Sequence, residues 1–250
     1  MTYSIAAIKM FISKIKFQYP DELQNEYPFN LLLIKENKEI EFKTPITFII
    51  GENGSGKSTL IESIAVSAGL NAEGGSKNTK YKTQESHSDL FKYIIKFPDV
   101  KIKNGYFLRA ESFYTYANWL DEDHETHVRE GMYGQSVRQA AFGKSLHKNS
   151  HGESFWSIIE NQFYGNGVYI LDEPESALSV TRLIALIYKM DELVDQNSQF
   201  IISTHSPILL AAKNSSIIEI EDGLIRRPKF NECKLVNIYK SILNNPNVIQ

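Results

Sequence analysis

Three groups of residues have the types and spacing to do chemistry. Gly51 to Thr59 read G-E-N-G-S-G-K-S-T and fit G-x-x-x-x-G-K-[ST], a loop that holds phosphate groups. Its glycines at 51, 54 and 56 allow backbone conformations closed to other residues and a close approach to an anion. Gly51, Asn53, Gly54, Ser55, Gly56 and Thr59 are candidates to line the phosphates, with backbone N–H groups as donors. Lys57 would reach the β- and γ-phosphates and Ser58 would ligate Mg2+. The second group is Asp172-Glu173, two adjacent carboxylates at the end of an apolar run, where they are costly unless they meet a cation or a reacting water. Asp172 fits as a magnesium ligand, usually through water, and Glu173 as the group that orients or deprotonates the attacking water. An acid pair capping a helix is the plainer alternative. The third is His205, in Thr204-His205-Ser206-Pro207.

These residues need elements that bring them together. Pro45 to Ile50 is a short, β-branched apolar run, the sign of a buried strand leading into the glycine loop. Leu60, Ile61, Ile64, Ala65 and Ala68 then recur at helical spacing, with Gly69 as the stop. Val168 to Leu171 and Gln199 to Ser203 are two further buried strands, each ending at a candidate group. The strand-end positions belong at the ligand edge of an open α/β sheet. Between the latter two strands, Val180 to Val194 is an amphipathic helix with Leu183, Ile184, Ile187, Met190, Leu193 and Val194 on its apolar stripe.

Composition is ordinary for a soluble protein: 250 residues, 42% hydrophobic, 23% charged, net charge −3. No overall basicity advertises nucleic acid. The single cysteine, Cys233, excludes an internal disulfide and fits a reducing compartment, and no apolar run is long enough to span a membrane. Lys9, Lys14 and Lys16 interrupt the apolar start, against a secretory signal. The expectation is a cytoplasmic protein without membrane insertion.

The remaining stretches carry weaker signals. Ile5 to Phe17, Phe29 to Ile34 and Glu39 to Phe42 are expected to form a small β layer ahead of the loop. Tyr19, Tyr27 or Phe29 offers an aromatic face for an adenine, though simple packing is the plainer reading. Asn71 to Ser88 has the composition of an exposed loop, with Lys77, Lys80 and Lys82. Tyr93 to Phe97 and Gly105 to Arg109 are expected to pair as a hairpin turning near Pro98-Asp99. Glu111 to Phe142 changes character and is expected to be a mostly helical insertion; His124 and His127 within it stand at a metal-ligating spacing but in a charged, solvated context. Ser150 and Glu153 form a capping box for a helix carrying Phe155, Ile158, Ile159 and Phe163. Glu221-Asp222-Gly223 marks a hairpin, Pro207 starts a short helix, and Leu235 to Leu243 forms a closing helix.

Taken together, these motifs resemble the ATP-binding-cassette ATPases, in particular the soluble branch with the structural-maintenance-of-chromosomes and recombination-repair proteins and its short bacterial AAA-family ATPases. Ser150-His151-Gly152-Glu153 resembles the signature motif of that family, Ser176-Ala177-Leu178-Ser179 the loop that crosses its dimer, and His205 its switch histidine. Asp172 stands 22 residues after Ser150 and His205 a further 33 on, spacings like the family's. Asn149 and His151 depart from the signature, where leucine and glycine are usual. The family's metal-sensing glutamine should fall near Arg109-Ala110-Glu111; Gln84 is the alternative.

The resemblance implies a P-loop α/β fold: one domain over residues 1–250, a mainly parallel central sheet, a small antiparallel β layer and a helical subdomain over about 111–163. It implies ATP and Mg2+ as ligands, and an ATP-bound homodimer in which Lys57, Ser58, Asp172, Glu173 and His205 of one chain face Ser150, Gly152 and Glu153 of the other. Hydrolysis would then switch conformation for an unknown protein partner. Three other readings stay open: an ATP-gated effector module in DNA repair or phage defence, the nucleotide-binding subunit of a transporter, and a small-molecule kinase. Lys77, Lys80, Lys82, Lys144 and Lys148 permit DNA contact without establishing it.

Overall fold

Val168-Tyr169-Ile170-Leu171 has no polar residue to turn towards water, and the fold asks for none: the strand Val168–Asp172 is buried on both faces. A computed structural model describes residues 10–72, 75–76, 88–111, 113 and 151–249. Ten strands run through them: β1 (Lys14–Phe17), β2 (Glu39–Glu41), β3 (Ile46–Gly51), β4 (Gly75–Ser76), β5 (Ile94–Phe97), β6 (Gly105–Arg109), β7 (Val168–Asp172), β8 (Gln199–Ser203), β9 (Ser215–Glu221) and β10 (Leu224–Arg226). Seven form one sheet in the order β10-β9-β3-β8-β7-β6-β4. Its five central strands are parallel, and β10 and β4 close the edges antiparallel. The other three make a small antiparallel sheet in the order β2-β1-β5.

Parallel strands need both faces covered, and alternate residues supply the two cores. Ile49, Phe107, Ile170, Ile201 and Ile218 pack with Leu60, Ile61 and Ile64 of the helix Lys57–Ser67, and with Ile15 and Ile40 of the small sheet. Phe48, Leu108, Tyr169, Leu171, Phe200 and Ile202 face the helices His151–Gln162 and Val180–Asp195. Ser179 caps the latter by accepting from Arg182 N–H at 3.4 Å. Phe163 stacks on Tyr169 with ring centroids 4.2 Å apart. Because all five central strands point the same way, their C-terminal ends share one edge, which is where the candidate residues sit.

The structure corrects four local expectations. Phe29 to Ile34 is not a strand: Leu32–Glu36 is a short helix, with Leu33 and Ile34 buried and Leu32 exposed. A short apolar run does not distinguish strand from buried helix, and leucine, unlike valine or isoleucine, carries no preference for the strand. Nor do β5 and β6 pair with one another. β5 joins β1, and β6 lies between β7 and β4, since Tyr106, Phe107 and Leu108 need cover on both faces that a two-stranded hairpin cannot give. In the helix Val180–Asp195 the stripe is centred on Leu183, Leu186, Met190 and Leu193, leaving Ile184 exposed. After Pro207 the chain makes only a 3-10 turn, Leu209–Ala211. The lysines at 77, 80 and 82, Gln84, His124, His127, Lys144, Lys148 and Ser150 lie outside the described residues, as does most of the expected insertion 111–163. Its final helix, His151–Gln162, is described.

Candidate active site

The glycine loop leaves β3 and enters the helix Lys57–Ser67 at Gly56, whose φ of +90° lies in the left-handed region where glycine is favoured. Gly51 is a glycine for a different reason, because a Cβ there would come within 2.6 Å of Ile220 O. Around Gly54, with φ +79°, a Cβ would meet nothing within 4 Å, so the outer wall of the loop is open to a ligand. At the start of an α-helix the N–H groups of Lys57, Ser58 and Thr59 have no partner within the helix. The Ser55 hydroxyl oxygen is buried and unpartnered. Such a cradle of unsatisfied donors suits a polyanion.

Lys57 is nearly fully buried, and its ammonium donates to the carbonyls of Gly51 at 2.8 Å and Glu52 at 2.9 Å. Burial lowers its pKa, while Glu173, Asp172, Glu52 and Glu175 pull it back up. The ammonium therefore already lies in the field of the carboxylates at the end of β7.

Asp172 ends β7 in register with Arg109 on one side and Ser203 on the other. Its Oδ1 accepts from Ser203 Oγ, its Oδ2 lies 3.5 Å from Arg109 Nε, and the Ser58 hydroxyl is near enough to favour its charged form. Burial raises the pKa of its carboxyl, and Ser203, Arg109 and Ser58 act against that rise. A hydroxyl and a carboxylate near one another, beside an open cradle, are the donor set magnesium uses when phosphates complete its shell. Among the described residues no group of three His, Cys, Asp or Glu could hold a metal unaided.

Glu173 differs from its neighbour. Its N–H still donates to Ser203 O at 3.0 Å, but its φ of +50° turns the chain out of the sheet before Pro174. A non-glycine residue held there costs energy and aims a side chain. The Glu173 side chain is 38% exposed against 4% for Asp172, so water reaches only the former freely. His205 Nε2 stands 3.4 Å from Glu173 Oε1 and makes no hydrogen bond.

Glu175 is the residue that the sequence did not single out. Its Oε1 accepts from His205 N–H, and its Oε2 accepts from the Thr204 hydroxyl at 2.8 Å. It pins the histidine loop to the turn after β7, and burial raises its pKa. A third acid in Asp172-Glu173-Pro174-Glu175 was its only signal. Arg109, expected only as the neighbourhood of a glutamine, places a guanidinium beside Asp172.

Gly51 to Thr59, Asp172, Glu173 and His205 thus share one edge. Gly152 and Glu153 lie in the helix His151–Gln162, where a Cβ on Gly152 would come 2.9 Å from Ala177 O. Tyr27, 63% exposed, holds Thr59 Oγ1 at 3.0 Å, whereas Phe29 is buried between Tyr19 and Tyr93 and offers no free face.

The chain matches the family described as AAA domain over residues 23–167. No curated protein matches it. Among solved structures, cbiO1 from Clostridium perfringens, part of the ABC transporter complex cbiONQ, shares 16% identity with a TM-score of 0.49, covering 95% of this chain and 97% of its own. The SMC head domain from Thermotoga maritima shares 15% with a TM-score of 0.43, covering 88% and 99%. The bacterial ABC transporter cassette MJ0796, described as dimeric, shares 16% with a TM-score of 0.43, covering 77% and 88%. Likenesses of this depth assign no role to any residue. No helix among the described residues is long and apolar enough to cross a membrane.

Proposed function

The chain belongs to the AAA domain family, and from that premise we propose that it is a magnesium-dependent ATPase of the ATP-binding-cassette type, active as an ATP-sandwiched homodimer. One observation carries the reading: Glu173 and His205 stand side by side, 3.4 Å apart, on the strand-end edge that also bears Lys57 and its glycine loop.

The residues divide the work. The loop N–H groups from Gly54 to Thr59 receive the phosphates, and Lys57 exchanges the Gly51 and Glu52 carbonyls for β- and γ-phosphate oxygens. Ser58 and Asp172 would hold Mg2+, which when bound neutralises charge on those phosphates. Glu173, exposed and turned out of the sheet, orients a water for in-line attack on the γ-phosphorus and accepts its proton; the bond to the β–γ bridging oxygen breaks, giving ADP and inorganic phosphate. His205, beside the Glu173 carboxylate, is placed to receive a hydrogen bond from, or donate one to, the departing phosphate, and Glu175 keeps the histidine loop in place. A second chain contributes Ser150, Gly152 and Glu153, so that loss of the γ-phosphate loosens the pair and becomes a signal to a partner protein.

Glu173→Gln tests this reading. The variant is expected to keep ATP binding, to lose about 100- to 10,000-fold in turnover and to accumulate as a dimer in Mg-ATP, followed by phosphate release and light scattering. Turnover equal to wild type, or a monomer throughout, contradicts it.

A further inference from the structure

Arg109 occupies a place that the proposed chemistry does not explain. It is the last residue of β6 and lies in register with Asp172. Its Nη1 meets Glu62 Oε2 at 3.1 Å and its Nη2 meets Glu111 Oε2 at 3.0 Å, whereas its Nε faces Asp172 Oδ2 at 3.5 Å, buried and without a hydrogen bond. The loosest of the three contacts is the one to the aspartate. Ser58 and Glu62 stand one turn apart on the helix after the glycine loop, so they share a face. Ser58 with Asp172 and Glu62 with Arg109 therefore form two successive rungs between that helix and the sheet edge.

This arrangement sets two cations against one carboxylate. In the structure the guanidinium is the cation paired with Asp172, with the Lys57 ammonium also in its field, and a buried carboxylate without such a partner is strongly unfavourable. A divalent cation held by Ser58 and Asp172 would bring a second positive charge to the same oxygen atoms, where like charges repel. The two Nη anchors solve the conflict, because Glu62 and Glu111 can retain the guanidinium after its Nε has withdrawn. We propose that Arg109 is a positioning residue that serves as the counter-ion of Asp172 until metal and nucleotide arrive, then yields Asp172 and is kept by Glu62 and Glu111. The inference rests on the ATPase reading above. A neutral glutamine, the residue type expected near this position, could not play this part.

The test is equilibrium binding of a fluorescent ATP analogue in EDTA and over stepped Mg2+, with melting temperatures alongside, for wild type, Arg109→Gln, Arg109→Lys and Glu62→Gln. Because Mg2+ partitions with free nucleotide identically in every sample, differences report the protein. Arg109→Gln is expected to reach half-maximal binding at about 3- to 10-fold less Mg2+, since the competing charge is gone. Glu62→Gln should need more Mg2+ than wild type, because the guanidinium loses an anchor and stays with Asp172. Arg109→Lys keeps the charge and should stay closer to wild type than Arg109→Gln does. In EDTA, Arg109→Gln should melt below wild type, with the gap narrowing at saturating Mg-ATP. A gap that persists, with no change in Mg2+ dependence, marks Arg109 as a brace and overturns the inference. A shift of Glu62→Gln in the same direction as Arg109→Gln overturns it too; if Arg109→Gln fails to fold, Glu62→Gln against wild type decides, since a Mg2+ requirement equal to or below wild type overturns the inference. Wild-type binding indifferent to Mg2+ would instead sink the ATPase reading beneath it.

Discussion

At the end of β7 the chain leaves a strand buried on both faces through a carboxylate, a left-handed glutamate and a proline. At the end of β5 it leaves a strand with one wet face through Pro98 and Asp99. The small sheet closes its own charges: Lys14 and Lys16 meet Glu39 at 3.5 and 3.3 Å, and both lie over the Phe97 ring. Its antiparallel register sets Lys16 opposite Glu39 and Lys14 opposite Phe97, with the other two pairs diagonal on the same face, so these charges are answered within the sheet. The central strands of the large sheet have no wet face, and the functional polar groups gather where those strands stop. There Ser55 Oγ, His205 Nε2 and Arg109 Nε are buried without hydrogen bonds. One sheet satisfies itself and supports; the other is left unsatisfied at one edge and is built to receive something.

The contrast predicts opposite consequences of mutation. Lys57→Ala should weaken ATP binding by about 100- to 1,000-fold, because a buried charge contact is lost. It should leave the melting temperature of the free protein nearly unchanged or raised, since burial of the ammonium is itself unfavourable. Calorimetric titration and melting read both; a variant that binds ATP normally breaks the comparison. Ile15→Ala, at a fully buried site in the small sheet, should cost about 2–5 kcal/mol of stability while the folded fraction keeps its turnover. Denaturant unfolding against active-site titration decides this, and a stable but inactive protein would show that the small sheet does more than support.

The smallest effect expected is in the pH dependence of stability. The Glu175 carboxyl is raised by burial, so the folded state binds its proton more readily than the unfolded chain does. Its contribution to stability then falls as pH rises from the unfolded pKa through the raised folded one. Wild type should gain more melting temperature between about pH 7 and about pH 5 than Glu175→Gln does. Parallel profiles would show that Glu175 is not the buried acid described.

Much of the receiving edge could be read directly from residue order. The strand into Gly51, the helix after Lys57, the apolar run into Asp172 and the strand into Thr204 are local patterns, because parallel strands buried on both faces appear as unbroken apolar runs. Arg109 beside Asp172 could not be read in this way. Their contact depends on β6 and β7 being neighbours in the sheet although 63 residues separate the two side chains in the chain. Glu175 was hidden for a related reason, since its partners Thr204 and His205 arrive from the next strand. The short helix Leu32–Glu36 and the separation of β5 from β6 are not legible in the sequence, because short apolar runs take their form from whatever covers them.

The most direct test is a crystal structure of Glu173→Gln grown with Mg-ATP. The triphosphate is expected in the Gly51–Thr59 cradle, with Lys57 Nζ moved from the Gly51 and Glu52 carbonyls onto phosphate oxygens and residue 173 facing the γ-phosphorus. Nucleotide bound away from that cradle, for example in the surface cleft lined by Tyr19, Lys92, Tyr93 and Ile95 beside the small sheet, with Lys57 unmoved, would contradict it.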